Sequence, residues 1–93
     1  KTKTLYFSGK ARKIINGMLL NYLSNPLTRT IAIQVVKNDG YKFNKNCVGA
    51  APIINQIKAW DLNVERYYKL TWHSDGNVFT FRPEDDYVRR TDD

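Results

Sequence analysis

The chain has few of the residues on which most catalytic and metal sites depend. Its 93 residues include one cysteine, Cys47, one histidine, His73, and nine acids. A lone cysteine cannot form an internal disulfide, so we interpret it as a reduced thiol and expect a cytoplasmic protein. No spacing of these residues supplies the three or four ligands of a metal site, and no cofactor is predicted. No apolar run approaches the roughly 20 residues needed to cross a bilayer.

The apolar content of the chain is enough for one folded core. Apolar residues make up 42% and aromatic residues 13% of the sequence, which is typical of a globular domain rather than a disordered segment. A chain of this length forms one domain. We predict a single domain over residues 1–83 and an acidic C-terminal tail over residues 84–93.

Positive charge is concentrated in the first two thirds of the chain. From Lys1 to Trp60 there are ten lysines and arginines but a single acid, Asp39, so this stretch carries +9. Residues 61–83 are neutral and residues 84–93 carry −3. A basic body favours a polyanionic partner, because neutralising phosphates releases counterions and steers association. The alternative is a charged surface that only interacts with water.

A strand and a long helix are predicted at the start of the chain. Residues 2–7 are rich in β-forming residues. Ser8 is a candidate N-cap for a helix from Gly9 to Ser24, which Asn25-Pro26 would end. Apolar residues recur in this helix at a spacing of three and four, which predicts one buried stripe. The stripe comprises Ala11, Ile14, Ile15, Met18, Leu19, Tyr22 and Leu23.

A hairpin is predicted in the middle of the chain. Residues 28–37 alternate, with Ile31, Ile33 and Val35 on one face. A three-residue turn with Gly40 left-handed would pair Val35 with Phe43 and keep the core face apolar. A loop is expected at residues 46–51.

A second helix and a second hairpin complete the predicted elements. Pro52 suits the first turn of a helix that ends near Asp61. The last hairpin spans residues 65–82, with a type I′ turn centred on Asp75-Gly76 and Trp72 opposite Phe79.

The predicted element order is β-α-β-β-α-β-β, and it indicates an α+β fold. Two amphipathic helices packed on one face of a mostly antiparallel sheet would bury the apolar stripes. A ferredoxin-like arrangement with an extra edge strand is the leading expectation, while the sequence leaves the strand order open.

Three cations near the start of the first predicted helix form a candidate anion-binding site. Lys10, Arg12 and Lys13 lie where the helix dipole is already positive, which costs roughly 0.3–1 kcal/mol for each exposed cation. Free backbone N–H groups at this helix end would bind a phosphate or carboxylate together with them. The alternative is that these side chains extend into water or pair with acids of the tail.

The outward face of the predicted sheet is a second candidate site. It would carry Tyr6, Lys42, Tyr67, Lys69 and Arg82. Aromatic and cationic side chains on a sheet suit stacked bases and phosphates. The same composition is also common on an ordinary solvated antiparallel face.

A non-catalytic nucleic-acid-binding module, for DNA or RNA, is the function these features favour first. The second expectation is a small regulatory or inhibitory protein, of the type that phages and mobile elements encode, that binds an acidic protein surface. The third is a metal-independent ribonuclease that uses Lys69, His73 and Arg82. Because no pair of carboxylates is placed for acid and base roles, we predict that the protein is not an enzyme. Neither a membrane partner nor a small-molecule cofactor is predicted.

Overall fold

The computed structural model describes residues 4–44, 47–62, 64 and 66–88 of the chain. This part contains two helices and seven strands in two antiparallel sheets, which confirms the predicted α+β class. In chain order the elements are β1 Thr4–Tyr6, α1 Gly9–Ile15, β2 Leu19–Asn25, β3 Thr30–Val36, β4 Phe43–Asn44, β5 Cys47–Gly49, α2 Ala51–Ala59, β6 Thr71–His73 and β7 Val78–Phe81.

The larger sheet has four strands in the order β2-β3-β7-β6, and the smaller sheet has three in the order β1-β5-β4. Strand β3 is central in the larger sheet: Ile33 lies opposite Tyr22 on one side and Phe79 on the other. Every pairing in both sheets is antiparallel. The ferredoxin-like arrangement stays a prediction.

One apolar core joins the larger sheet to both helices. Ile31 and Ile33 of β3 are at most 1% exposed, and they belong to the same buried cluster as Ile15 of α1 and Ile53 of α2. The apolar alternation predicted for β3 is confirmed, since alternate side chains of a strand point to opposite faces. Both helices therefore cover one face of the sheet, as predicted.

The first helix is shorter than predicted, because it ends at Ile15 and not at Ser24. Gly17 has φ 77°, a left-handed conformation that interrupts a helix and that glycine adopts without steric cost. The following residues form β2, which pairs with β3 along its whole length. Leu23, predicted to be buried, is consequently 51% exposed on the outward side of a strand.

The predicted pairing of Val35 with Phe43 is wrong. Val35 lies opposite Leu20 in the larger sheet, whereas Phe43 lies opposite Val48 in the smaller sheet. Residues 47–49, predicted as part of a loop, are strand β5.

The turn after β3 also differs from the prediction. Its left-handed residue is Asp39, with φ 58°, and not Gly40. Gly40 is required for a different reason: a Cβ atom there would lie 2.7 Å from the backbone oxygen of Leu20. The backbones of the turn and of β2 approach each other at this point, and only glycine leaves room.

The second helix and the register of the last hairpin are confirmed. Pro52 lies in the first turn of α2, and Trp72 lies opposite Phe79. The hairpin turn has a different conformation from the predicted type I′, because its left-handed residue is Asn77, with φ 51°. The N–H of Gly76 donates to the oxygen of His73 at 3.2 Å, which closes the turn.

Residues 84–88, predicted as the start of the acidic tail, are attached to the domain. The N–H of Lys69 donates to the oxygen of Asp86 at 2.7 Å, and the N–H of Val88 donates to the oxygen of Tyr67 at 2.8 Å. The remainder of the predicted tail, residues 89–93, lies outside the described residues.

Candidate basic surface and cavity

The three cations of α1 are exposed, but the short helix changes their electrostatic setting. Arg12 and Lys13 lie in its last turn, where the helix dipole favours positive charge. The predicted dipole cost is therefore wrong for these two residues. At the other end of the helix, the Ser8 hydroxyl accepts a hydrogen bond from the N–H of Ala11 at 3.3 Å. This capping interaction uses one of the N–H groups that the predicted anion site needed.

The larger sheet does not carry the predicted cationic face. Strands β2, β3, β6 and β7 contain no lysine or arginine. Asn21, Gln34, Val78 and His73 form one row across its outward side, which is a polar surface of low charge. Lys42 does not join it, because Lys42 leads into β4 of the smaller sheet.

The other residues predicted for that face lie outside the four strands. Arg82 follows β7, where its Nη1 contacts Asp85 Oδ2 at 2.6 Å and its Nε donates to the oxygen of Thr28 at 3.1 Å. Lys69 precedes β6 and is exposed. Tyr6 is in β1, and its side chain is outside the described part of the structure.

The candidate catalytic histidine of a ribonuclease has an ordinary structural partner. His73 Nε2 lies 2.8 Å from the Oγ1 of Thr80, its neighbour on the adjacent strand. Arg82, its predicted co-catalyst, is ion-paired with Asp85. These contacts give both side chains a structural role, so no observation adds to the ribonuclease expectation.

The structure brings Lys10 and Tyr67 together at a cavity of about 910 Å³. The cavity lies between α1, residues 64 and 66–72, and the core face of the larger sheet. We call Lys10, Arg66 and Tyr67 the rim, because each is exposed and lines the cavity. The cavity floor comprises Ile33, Leu70, Trp72, Phe79 and Phe81.

Arg66 is a rim residue that is not among the sequence-predicted site residues. Its guanidinium carbon lies 4.2 Å from the centre of the Tyr87 ring, a cation–π contact that holds the side chain in place. Its position depends on the pairing of residues 67–69 with residues 86–88, which no local pattern predicts. The feature of the sequence that could have indicated Arg66 as a site residue is its position next to Tyr67, a predicted site residue.

The rim cations have no acidic partner among the described residues. The ion pairs in this part of the chain are Arg29 with Glu84 at 3.4 Å and Arg82 with Asp85 at 2.6 Å. Both use acids that follow β7, so neither of these pairs involves Lys10 or Arg66. No acid is among the described residues that line the cavity.

Tyr68 places a neutral hydroxyl group on the cavity wall. Burial raises the pKa of its phenol, although the nearby charge of Arg66 acts in the opposite direction. Its ring packs against Phe81, with the ring centres 5.0 Å apart. The wall at this point is therefore aromatic and uncharged.

Within the described residues, no group of three or more histidine, cysteine or acidic side chains could hold a metal ion. No helix in the same part of the chain is long and apolar enough to cross a membrane. Comparison with protein-family models, with curated proteins and with solved structures finds no match to this chain.

Proposed function

We propose that this protein is a non-catalytic module that binds single-stranded nucleic acid. One observation supports the proposal above the others: two cations and an exposed tyrosine occupy the rim of one cavity. Tyr67 is 64% exposed, and Lys10 and Arg66 line the same opening. Single-strand binders combine cations that follow the phosphates with aromatic rings on which bases stack.

The charge around the rim extends the surface available to phosphates. Lys10 and Lys13 are exposed on α1, and Asp39 is the single acid in the first 60 residues. An anionic strand that crosses α1 would therefore meet positive charge over more than one nucleotide. Neutralisation of phosphates makes such binding salt-dependent, because condensed counterions are released.

Base stacking on Tyr67 is the reason why we expect the protein to prefer single strands to duplexes. A stacked base on an exposed aromatic ring contributes about 1–3 kcal/mol and requires the base to leave a duplex stack. The cations alone would bind duplex and single strand through the same phosphates. The binding free energy would thus have two contributions: an electrostatic one from the cations of α1 and a stacking one from Tyr67.

Fluorescence anisotropy with labelled oligonucleotides of about 12 nucleotides tests the proposal. Single-stranded RNA, single-stranded DNA and duplex DNA are compared at about 50 and about 200 mM salt. We expect micromolar binding of a single strand with a slope of log K against log salt of about −3 to −5, which corresponds to about four to six phosphate contacts. Affinity that does not change with salt, or no binding at the lower salt, would contradict the proposal.

Two variants separate the contributions. Lys10→Ala should make the salt slope less steep by roughly 0.7–0.9, as loss of one phosphate contact does. Lys58→Ala removes an exposed lysine from α2 that does not line the cavity, and it should leave the slope closer to that of the unaltered chain. Tyr67→Ala should weaken single-strand binding about tenfold and duplex binding far less.

RNA in the same samples, with EDTA present, should remain uncleaved on a gel.

A specific observation favours the second candidate, contact with another protein. Leu27, in the turn between β2 and β3, is 94% exposed, and Leu23 on the adjoining strand is 51% exposed. Exposed leucines that are close in the chain are typical of protein contacts. A complex captured from a lysate at low salt that is lost in Leu23→Ser with Leu27→Ser would favour this candidate. Retention of the complex in that variant would count against it.

A further inference from the structure

We propose that the cavity beneath the rim binds a small organic acid, a carboxylate on an aliphatic or aromatic body. The apolar body would occupy the floor, and the carboxylate would lie between Lys10 and Arg66. This ligand is distinct from nucleic acid, and its binding does not depend on the proposed function being correct.

The floor of the cavity suits an apolar body. Leu70 and Trp72 are half-buried and form its accessible part, whereas the core-facing residues Ile33, Phe79 and Phe81 line its base and are at most 4% exposed. No described floor residue carries a charge. The volume of about 910 Å³ is within the range of about 300–1,000 Å³ that pockets for small molecules have.

The same floor is unfavourable for a nucleobase. A base carries several hydrogen-bond donors and acceptors around its edge, and each needs a partner when water is removed. The floor side chains are hydrocarbon apart from the indole of Trp72. A base can therefore stack on the exposed ring of Tyr67 at the rim, but insertion into the cavity would leave most of its polar edge without partners, since Ser8 and Tyr68 are the uncharged polar side chains of the described lining besides the rim and Trp72.

The rim supplies the charge that selects an anion over a neutral molecule. Lys10 comes from α1 and Arg66 from the segment before β6, so they approach the opening from two elements. Neither has an ion pair with a described residue. The cation–π contact with Tyr87 orients Arg66 but leaves guanidinium N–H groups to donate to a carboxylate.

Isothermal titration calorimetry with three ligands of the same chain length tests the inference. Dodecanoate, dodecanol and dodecyltrimethylammonium are each used below the concentration at which they form micelles. We expect one dodecanoate per chain, weaker binding of dodecanol and the weakest binding of the cation. Amide chemical shifts should change on addition of dodecanoate around residues 8–14, 64–72 and 79–81, and little elsewhere.

Charge variants test the role of the rim. Lys10→Ala with Arg66→Ala should weaken dodecanoate binding about two- to 25-fold, since each exposed ion pair contributes about 1.4- to fivefold, and should leave dodecanol binding unchanged. Ile14→Glu adds a carboxylate at a lining position that is 38% exposed, so it should weaken dodecanoate binding and favour the cation. Leu27→Glu adds the same charge at an exposed leucine away from the cavity and is the matched control.

Three results would overturn the inference. The first is no binding of dodecanoate. The second is equal affinity for dodecanoate and dodecanol, which would mean that the rim cations do not select the ligand. The third is several ligands per chain with chemical-shift changes over the whole surface, which would indicate that dodecanoate binds the protein non-specifically, as a detergent does. Because these titrations contain no nucleic acid, they give the same answer whether or not the oligonucleotide experiment succeeds.

Discussion

The hydroxyl group of Tyr22 donates a 2.6 Å hydrogen bond to the backbone oxygen of Gly49. Tyr22 belongs to β2 and Gly49 to β5, so this bond joins two sheets that share no strand. The ring of Tyr41 lies beside that of Tyr22, with the ring centres 4.9 Å apart. One junction between the sheets is thus a pair of tyrosine rings with a half-buried hydroxyl contact.

Replacement of Tyr22 by phenylalanine should lower the free energy of unfolding by about 1 kcal/mol. The ring packing is kept, while the hydrogen bond to Gly49 is lost and its carbonyl is left without that donor. Urea denaturation followed by circular dichroism measures the change. Tyr41→Phe is the matched control, because the hydroxyl of Tyr41 has no hydrogen bond to a described residue, and it should change stability by less than about 0.5 kcal/mol. Equal effects of the two variants would show that the Tyr22 bond contributes nothing.

Stability should fall at alkaline pH partly because of Tyr22. Burial raises the pKa of its phenol, and the adjacent Tyr41 raises it further. In the unfolded chain a tyrosine titrates at about 10. Below that pH the neutral phenol supports the folded state fully. Above it the unfolded chain loses the proton first, so the contribution of Tyr22 declines as the pH rises toward the folded-state pKa.

The measurement is the free energy of unfolding between about pH 9.5 and 11.5 for the unaltered chain and for Tyr22→Phe. We expect a shallower decline in Tyr22→Phe, because the variant lacks the group that resists ionisation in the fold. A slope in Tyr22→Phe as steep as in the unaltered chain would contradict this assignment.

Replacement of Gly17 by alanine should destabilise the protein by about 1 kcal/mol. Its φ of 77° is unfavourable for a residue with a Cβ atom, although no neighbouring atom would clash. The sign of the effect distinguishes the observed short helix from the predicted long one. In a helix that continued to Ser24, the same change would stabilise the protein by about 1 kcal/mol. Gly9→Ala, in the first turn of α1, is the control and should be neutral or stabilising. Thermal unfolding of both variants gives the comparison.

Elements with local signals were predictable from the sequence. Pro52 indicates the start of α2, and the Asp75-Gly76 turn fixes which residues of the last hairpin face each other. The alternation of Ile31, Ile33 and Val35 identifies β3, because a strand with one buried face has an apolar residue at every second position. In each case the signal lies within the element itself or in a short turn.

Strand β2 was not predictable because its apolar residues fit two periods. Leu20 and Tyr22 are spaced for a strand, but Leu19, Tyr22 and Leu23 also continue the predicted helical stripe of Ile15 and Met18. The pairing with β3 decides between them, and this pairing is a tertiary interaction that outweighs helix propensity. The helix ends at Ile15, two residues before Gly17, whose left-handed φ angle is the determining feature.

The candidate site was predictable in its residue types and not in its arrangement. Lys10 and Tyr67 were recognisable as a cation and an exposed aromatic, but they are far apart in the chain. They approach each other because residues 86–88 pair with residues 67–69 and thereby position the segment before β6. Such pairings, like that of Phe43 with Val48, leave no periodic signal in either short segment.

Trp72→Ala should cost about 2 kcal/mol of stability, less than the 3–5 kcal/mol of a fully buried aromatic residue. Its ring lies 4.7 Å from that of Phe79, centre to centre, but it is half-buried because it lines the cavity. Thr71→Ala, on the exposed side of the same strand, should change stability by less than about 0.5 kcal/mol. Urea denaturation of both variants provides the measurement. Equal losses would mean that the register of β6 and β7 is wrong.

Removal of residues 84–93 should destabilise the domain by about 2–3 kcal/mol more than removal of residues 89–93 alone. The longer deletion removes the two backbone hydrogen bonds that join residues 86–88 to residues 67–69, from Lys69 to Asp86 and from Val88 to Tyr67, and two more from Asp85 and Asp86 to Arg82. It also removes Tyr87, whose ring makes the cation–π contact with Arg66. Thermal unfolding of both truncated chains is the measurement, and equal stabilities would show that residues 84–88 are not attached in solution. Because the longer deletion frees Arg66, it should also weaken dodecanoate binding, while the shorter deletion keeps the rim intact.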